Sequence, residues 1–176
     1  DKEASKIDLS VFDENDLIQF QEKLLVGFGS LFGFRGSSEH VNLTLSMIGN
    51  GNFTNDHPLF PGMEWWGIKH ISKDKRHKLG IHTSHVKETE DDIGKFPVLS
   101  DGKKGDVRND IGGAIKRFMS LLPESVKNNR FYKRVTKDNL FFANQVLGKN
   151  TIRNRFRSVF ERMGIERFDT IKPHAL

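Results

Sequence analysis

The run Phe32-Gly33-Phe34-Arg35-Gly36-Ser37-Ser38-Glu39-His40 places one arginine on a glycine-flanked turn, where an apolar helix stops and a second begins. Phosphodiester transfer needs positive charge and hydrogen-bond donors around the non-bridging oxygens, where negative charge builds in the transition state. Arg35 suits that task, because a guanidinium donates two parallel hydrogen bonds and stays protonated at neutral pH. With His174 near the far end of the chain, it points to a phosphodiester-handling site assembled from distant segments. The chain has no cysteine, which excludes disulfides, thiolate metal sites and a Cys nucleophile and fits a reducing compartment.

These residues need elements to hold them. Asp13 offers a helix cap, and Leu17, Phe20, Leu24, Leu25, Phe28, Leu31 and Phe32 recur at helical spacing up to Gly33. A second helix from Ser37 or Ser38 is expected to carry Val41, Leu43, Leu45 and Met47. Residues 49–62, rich in Gly, Asn and Pro, read as a loop. Segments 64–71, 79–86 and 96–99 then predict a small three-stranded antiparallel sheet with polar turns between the strands. Val107, Ile111, Ile115, Phe118, Met119 and Leu122 mark a further helix stopped by Pro123, after which helices resume. The clearest is 150–163, where Ile152, Phe156, Val159, Phe160 and Met163 form one stripe and Gly164 ends it. Lys172-Pro173-His174 looks like the first turn of another. The expectation is an α+β fold, mainly helical with a small three-stranded sheet, in one domain over 13–176 behind a frayed segment 1–12.

Charge is unevenly spread. The whole chain carries +5 with an isoelectric point near 9.5, yet between Val126 and Lys172 twelve Lys and Arg face four Asp and Glu, so the remainder is mildly acidic. A basic part of this kind fits a polyanion, with the face Arg153, Arg155, Arg157 and Arg162, next to Lys149, as the best candidate for phosphate contact. The turn Lys73-Asp74-Lys75-Arg76-His77-Lys78 is a second candidate should the sheet approach DNA. Other signals are weaker. Gly27, Gly29 and Gly33 have the wrong spacing for a nucleotide fingerprint and lie in an apolar helix pattern. His82 and His85 would face opposite sides of a strand, which argues against zinc. Trp65 and Trp66 likewise face opposite ways, one of them towards the core. No run is long enough for a membrane span and the N-terminus is too charged for a signal peptide, so secretion is not expected and the sequons at Asn42 and Asn52 read as chance.

From Phe32 to His40 the chain resembles the tyrosine recombinases, in particular the Crypton-type transposon recombinases and their domesticated relatives, whose first catalytic arginine sits in a motif like Phe-Gly-Leu-Arg-Gly-Gly-Glu-Glu-His. Asn42-Leu43 fits the Asn-Leu that follows it, and Leu147-Gly148-Lys149-Asn150-Thr151 with Met163-Gly164-Ile165 resembles the family's Gly-Lys-Asn-Thr segment and Ala-Gly-Ile ending. Lys172-Pro173-His174-Ala175-Leu176 looks like the His-x-Leu-Arg motif, stopping one residue before its arginine. Order and spacing agree from about Leu17 to Leu176.

The resemblance implies a catalytic-domain fold and a reaction without metal or other cofactor: DNA cleavage and rejoining, as in site-specific recombination or transposon integration, through a 3′-phosphotyrosyl link. Arg35 would be the first arginine and His174 the histidine holding the phosphoryl oxygens. The general-acid lysine of the family's β-hairpin corresponds best to Lys87, with Lys73, Lys75 and Lys95 as competitors. Ser38 stands at the usually acidic position, with Glu39 one later, as supporting residues. The second arginine and the nucleophilic tyrosine would both lie beyond Leu176, and the single tyrosine, Tyr132, is expected to pack. The 176 residues are therefore expected to be a truncated domain, inactive alone, that partners double-stranded DNA and self-associates on it, as a tetramer in the family. The alternative is a domesticated, non-catalytic DNA-binding or protein-interaction module on the same fold. The expected location is the nucleus in a eukaryote and the cytoplasm otherwise.

Overall fold

The computed structural model describes residues 9–32, 37–68, 94–99, 110–124 and 129–165. These form helices α1 (Leu17–Phe32), α2 (Ser37–Asn42), α3 (Ile111–Ser120) and α4 (Lys149–Arg162), strands β1 (Ile48–Asn52), β2 (Glu64–Ile68), β3 (Lys95–Pro97), β4 (Lys133–Val135) and β5 (Phe142–Val146), and single 3₁₀ turns at Leu9–Val11 and Leu45–Met47. The class is α+β, with β1-β2-β3 as one antiparallel sheet and β4-β5 as a separate pair.

α1 is the central element. Its cap is Asp16 rather than Asp13: Asp16 Oδ1 accepts from the amides of Ile18 at 2.9 Å and Gln19 at 3.3 Å. Those are two of the orphan donors of the helix start, and Gln19 Oε1 in turn accepts from the Asp13 amide at 3.0 Å, holding the turn before the cap. Phe20, Leu24, Leu25 and Phe28 are fully buried, each contributing roughly 1.5–3 kcal/mol as an upper figure. Leu9 and Phe12, expected in a frayed segment, are buried in the same core. Their apolar side chains anchor the approach to α1.

Gly27 lets α3 pack closely on α1, since a Cβ there would stand 2.2 Å from Ile111 Cδ1. This is a packing glycine, with no bearing on phosphate binding. α3 starts at Ile111, where Asp110 caps it by accepting from the Gly113 amide at 2.8 Å; Val107 of the expected helix lies outside the described residues.

Two readings of the sequence are corrected by the strands. The stretch 49–62 opens with β1, paired with β2 in the register Ile48↔Ile68, Asn50↔Trp66 and Asn52↔Glu64. Its Ile-Gly-Asn-Gly-Asn sequence has no apolar alternation, and Gly51 lies under the Trp65 indole, 3.1 Å from Nε1 to where its Cβ would be. Residues 133–146, expected among resuming helices, form the β4-β5 hairpin, with Lys133↔Val146 and Val135↔Phe142 opposed across a bulge. Helices consequently make up less than half of the described residues, and the fold is not mainly helical. β2 falls within the expected strand 64–71 and β3 overlaps the expected 96–99, starting one residue earlier, while the expected strand 79–86 lies outside the described residues.

Trp66 packs against the core and donates to Glu64 Oε1 at 3.0 Å. Trp65 takes the opposite face, with Lys95 Nζ 5.2 Å from its ring. No helix of the described residues is long and apolar enough to cross a membrane.

Candidate nucleic-acid interface

α4 carries the basic residues, and the spacing of its arginines sorts them. Ile152, Phe156, Val159 and Phe160 face the core. Arg155 and Arg162, seven residues or two turns apart, lie on one flank of that stripe, while Arg153 and Arg157, four apart, lie on the other. The expected single basic face is therefore two.

The first flank is committed to the protein. Glu22 of α1 is only 1% exposed and receives Arg162 at 3.3 Å and Arg155 at 3.6 Å. Burial pushes the Glu22 carboxyl up from its ordinary range, and the two guanidinium groups pull against that shift. A buried carboxylate needs such partners, because an unpaired one would cost several kcal/mol. Arg155 and Arg162 thus clasp α4 to α1.

The second flank faces water. Lys149 and Arg153 are exposed, and Arg157 is exposed while sharing an i,i+4 pair with Glu161 at 3.3 Å. An exposed pair of this kind is worth well under about 1 kcal/mol and is easily exchanged for a phosphate. Lys149 also sits in the first turn of α4, whose cap is the exposed Gly148, so free helix-end amides lie beside cationic side chains.

α2 packs against α4. Ser38 is exposed on it and Glu39 half-buried, but His40 is fully buried. His40 Nδ1 is 2.9 Å from the Tyr132 hydroxyl, and its ring lies edge-on to Phe156 at 5.3 Å between centroids. Burial drives the imidazole down to about 3 and the phenol well above its ordinary range. Arg130 donates to Val41 O at 2.8 Å and Asn42 Oδ1 at 3.1 Å, closing the C-terminal end of α2. Tyr132 packs, as the sequence led us to expect.

Arg35, Lys87 and His174 lie outside the described residues, as do Lys73, Lys75 and Arg76. Four buried charges were not anticipated, Glu22, Lys23, Asp110 and Lys133. Burial lowers the Lys133 ammonium, and its backbone is gripped by Gln21, which accepts from the Lys133 amide at 3.0 Å and donates to its carbonyl at 2.7 Å. Glu22 had a sequence signal, an acid inside the central apolar helix of a chain whose last long helix is rich in arginine. Lys133 had none. Among the described residues no group of three or more His, Asp or Glu is placed to hold a metal. No protein-family model matches the chain, and it matches no curated protein and no solved structure.

Proposed function

We propose that this chain is a tyrosine-recombinase-like catalytic domain that grips duplex DNA by its phosphate backbone, positioning a scissile phosphate for cleavage and rejoining through a 3′-phosphotyrosyl link. The observation that supports the reading best is the sorting of charge on α4, where Arg155 and Arg162 pair with the buried Glu22 while Lys149 and Arg153 are exposed and Arg157 shares an exposed pair with Glu161. Exposed cations on one rigid helix flank fit a polyanion surface, since each phosphate contact releases a counterion. Within this reading Arg35 and His174 hold the phosphoryl oxygens, Lys87 protonates the departing 5′ oxygen, and Arg130 and His40 hold α2 in place. Tyr132 is not the nucleophile, because its hydroxyl is buried and bonded to His40. The attacking tyrosine would come from outside these 176 residues, with self-association on DNA as in the family.

The same burial of Tyr132, the single tyrosine, favours a second reading for the chain by itself, a DNA-binding module without strand transfer. Incubating the chain with a nicked duplex and resolving the products under denaturing conditions tests both. We expect a mobility shift under native conditions, abolished by Arg153→Glu with Arg157→Glu, and no covalent adduct. An adduct that disappears in Tyr132→Phe would overturn the assignment of Tyr132, and an unchanged shift in the charge-reversed variant would overturn the DNA-binding surface.

A further inference from the structure

The tip of the β4-β5 hairpin exposes two large apolar side chains. Leu140 and Phe141 are each 65% exposed, although Phe142, the next residue, is buried. The loop that carries them is fully organised. Thr136 N donates to Phe141 O and Asn139 N to Thr136 O, both at 2.9 Å. Phe141 N donates to Thr136 Oγ1 at 3.1 Å and Leu140 N to Asp138 Oδ1 at 3.2 Å. Asn139 adopts a left-handed φ of 59°, which asparagine tolerates, and its Nδ2 donates to Asp16 Oδ1 at 3.0 Å. The tip is thereby tied to the cap of α1. The network holds two apolar side chains in water rather than letting them fold back.

We propose that Leu140 and Phe141 form an apolar wedge that enters a groove of duplex DNA and partly unstacks one base step; this rests on the DNA-binding reading above. Proteins that kink DNA insert Phe or Leu in this way while flanking cations hold the adjacent phosphates. The hairpin supplies such cations in Arg134 and Lys137, both exposed. Asp138, also exposed, has a carboxylate oxygen turned inward to Thr136 and the Leu140 amide. A protein partner fits less well, since a stable interface takes about 800 Å² from each side, and two apolar side chains bordered by Arg134, Lys137, Asp138 and Gln145 offer far less contiguous apolar surface.

The test uses the chain with a short duplex carrying 2-aminopurine at successive positions, whose fluorescence rises when its stack opens. Leu140→Ala with Phe141→Ala truncates exposed side chains only, and circular dichroism checks that the fold is kept. The parent chain should raise the fluorescence at one step. The double variant should lose the rise and bind roughly tenfold more weakly, with the salt dependence of binding unchanged because no phosphate contact is removed. Phe141→Trp should keep the rise. A variant that binds and unstacks like the parent overturns the wedge while leaving the DNA-binding reading intact, and salt-dependent binding by the parent with no rise at any position does the same. A change of sedimentation in the variant with unchanged DNA signals assigns the tip to protein contact and also overturns it. Absence of salt-dependent binding by the parent overturns both.

Discussion

His40 Nδ1 and the Tyr132 hydroxyl meet at 2.9 Å across 92 residues of sequence, both buried, with the Phe156 ring of α4 edge-on to the imidazole at 5.3 Å between centroids. That one pair fixes α2 to the segment leading into β4 and, through Phe156, to the basic helix. The last residue of the arginine-bearing motif is therefore a structural histidine, and it couples α2 to α4 without touching solvent.

A neutral buried histidine makes stability depend on pH. His40 titrates at about 3 when folded against an ordinary value of 6.5, so between those values the unfolded chain binds a proton that the folded chain does not. Stability is fully present above pH 6.5 and falls as pH drops towards 3, by roughly 1.4 kcal/mol per pH unit inside that window. Glu22 acts with the opposite sign, because a raised carboxyl withdraws stability as pH rises through its folded value. Urea unfolding at a series of pH values should show the acid-side loss, and His40→Asn should flatten it.

Tyr132→Phe removes the partner of His40 Nδ1 inside the core. We expect a loss of about 1–3 kcal/mol, the cost of leaving a buried polar group unsatisfied, read as a lower denaturation midpoint. Binding of DNA should be unaffected, since the hydroxyl reaches no surface.

Glu22→Gln breaks the clasp between α1 and α4. The cost should be smaller than the roughly 3–5 kcal/mol of severing a fully buried ion pair, because Arg155 and Arg162 keep 28% and 33% of their side chains exposed and can turn to water. Two cations released at the surface should strengthen DNA binding at low salt. Calorimetric unfolding and anisotropy titrations on the same variant check both halves.

Gly27→Ala gains helix propensity worth about 1 kcal/mol but places a methyl 2.2 Å from a buried Ile111. Overpacking wins, and the variant should lose about 1–3 kcal/mol. Adding Ile111→Val, which deletes the clashing Cδ1, should recover part of it, and a double-mutant cycle measures the coupling.

α1 and α4 were legible in the sequence because their apolar residues keep a helical period over several turns. The sorting of the α4 arginines was also there to be read, in spacings of seven and four, but needed a reason to separate the flanks, and that reason, Glu22, lies on another helix. β1 was hidden because its Gly-Asn-Gly-Asn run imitates loop composition, while Gly51 is there to lie under the Trp65 indole. The β4-β5 hairpin was hidden by aromatic and basic residues that fit a helix as easily as a strand, and its turn at 136–141 rests on side-chain hydrogen bonds that no periodicity reports. Arg35, Lys87 and His174 rest on motif resemblance, outside the described residues.

The central claim is that the exposed flank of α4 holds phosphates and the clasped flank does not. Binding of one duplex, titrated over salt concentration, measures it directly for the parent, for Arg153→Ala with Arg157→Ala, and for Arg155→Ala. The account predicts that the double variant lowers the slope of log affinity against log salt by roughly 2, while Arg155→Ala leaves the slope unchanged and lowers stability. An unchanged slope without Arg153 and Arg157, or an equal fall for Arg155→Ala, would contradict it.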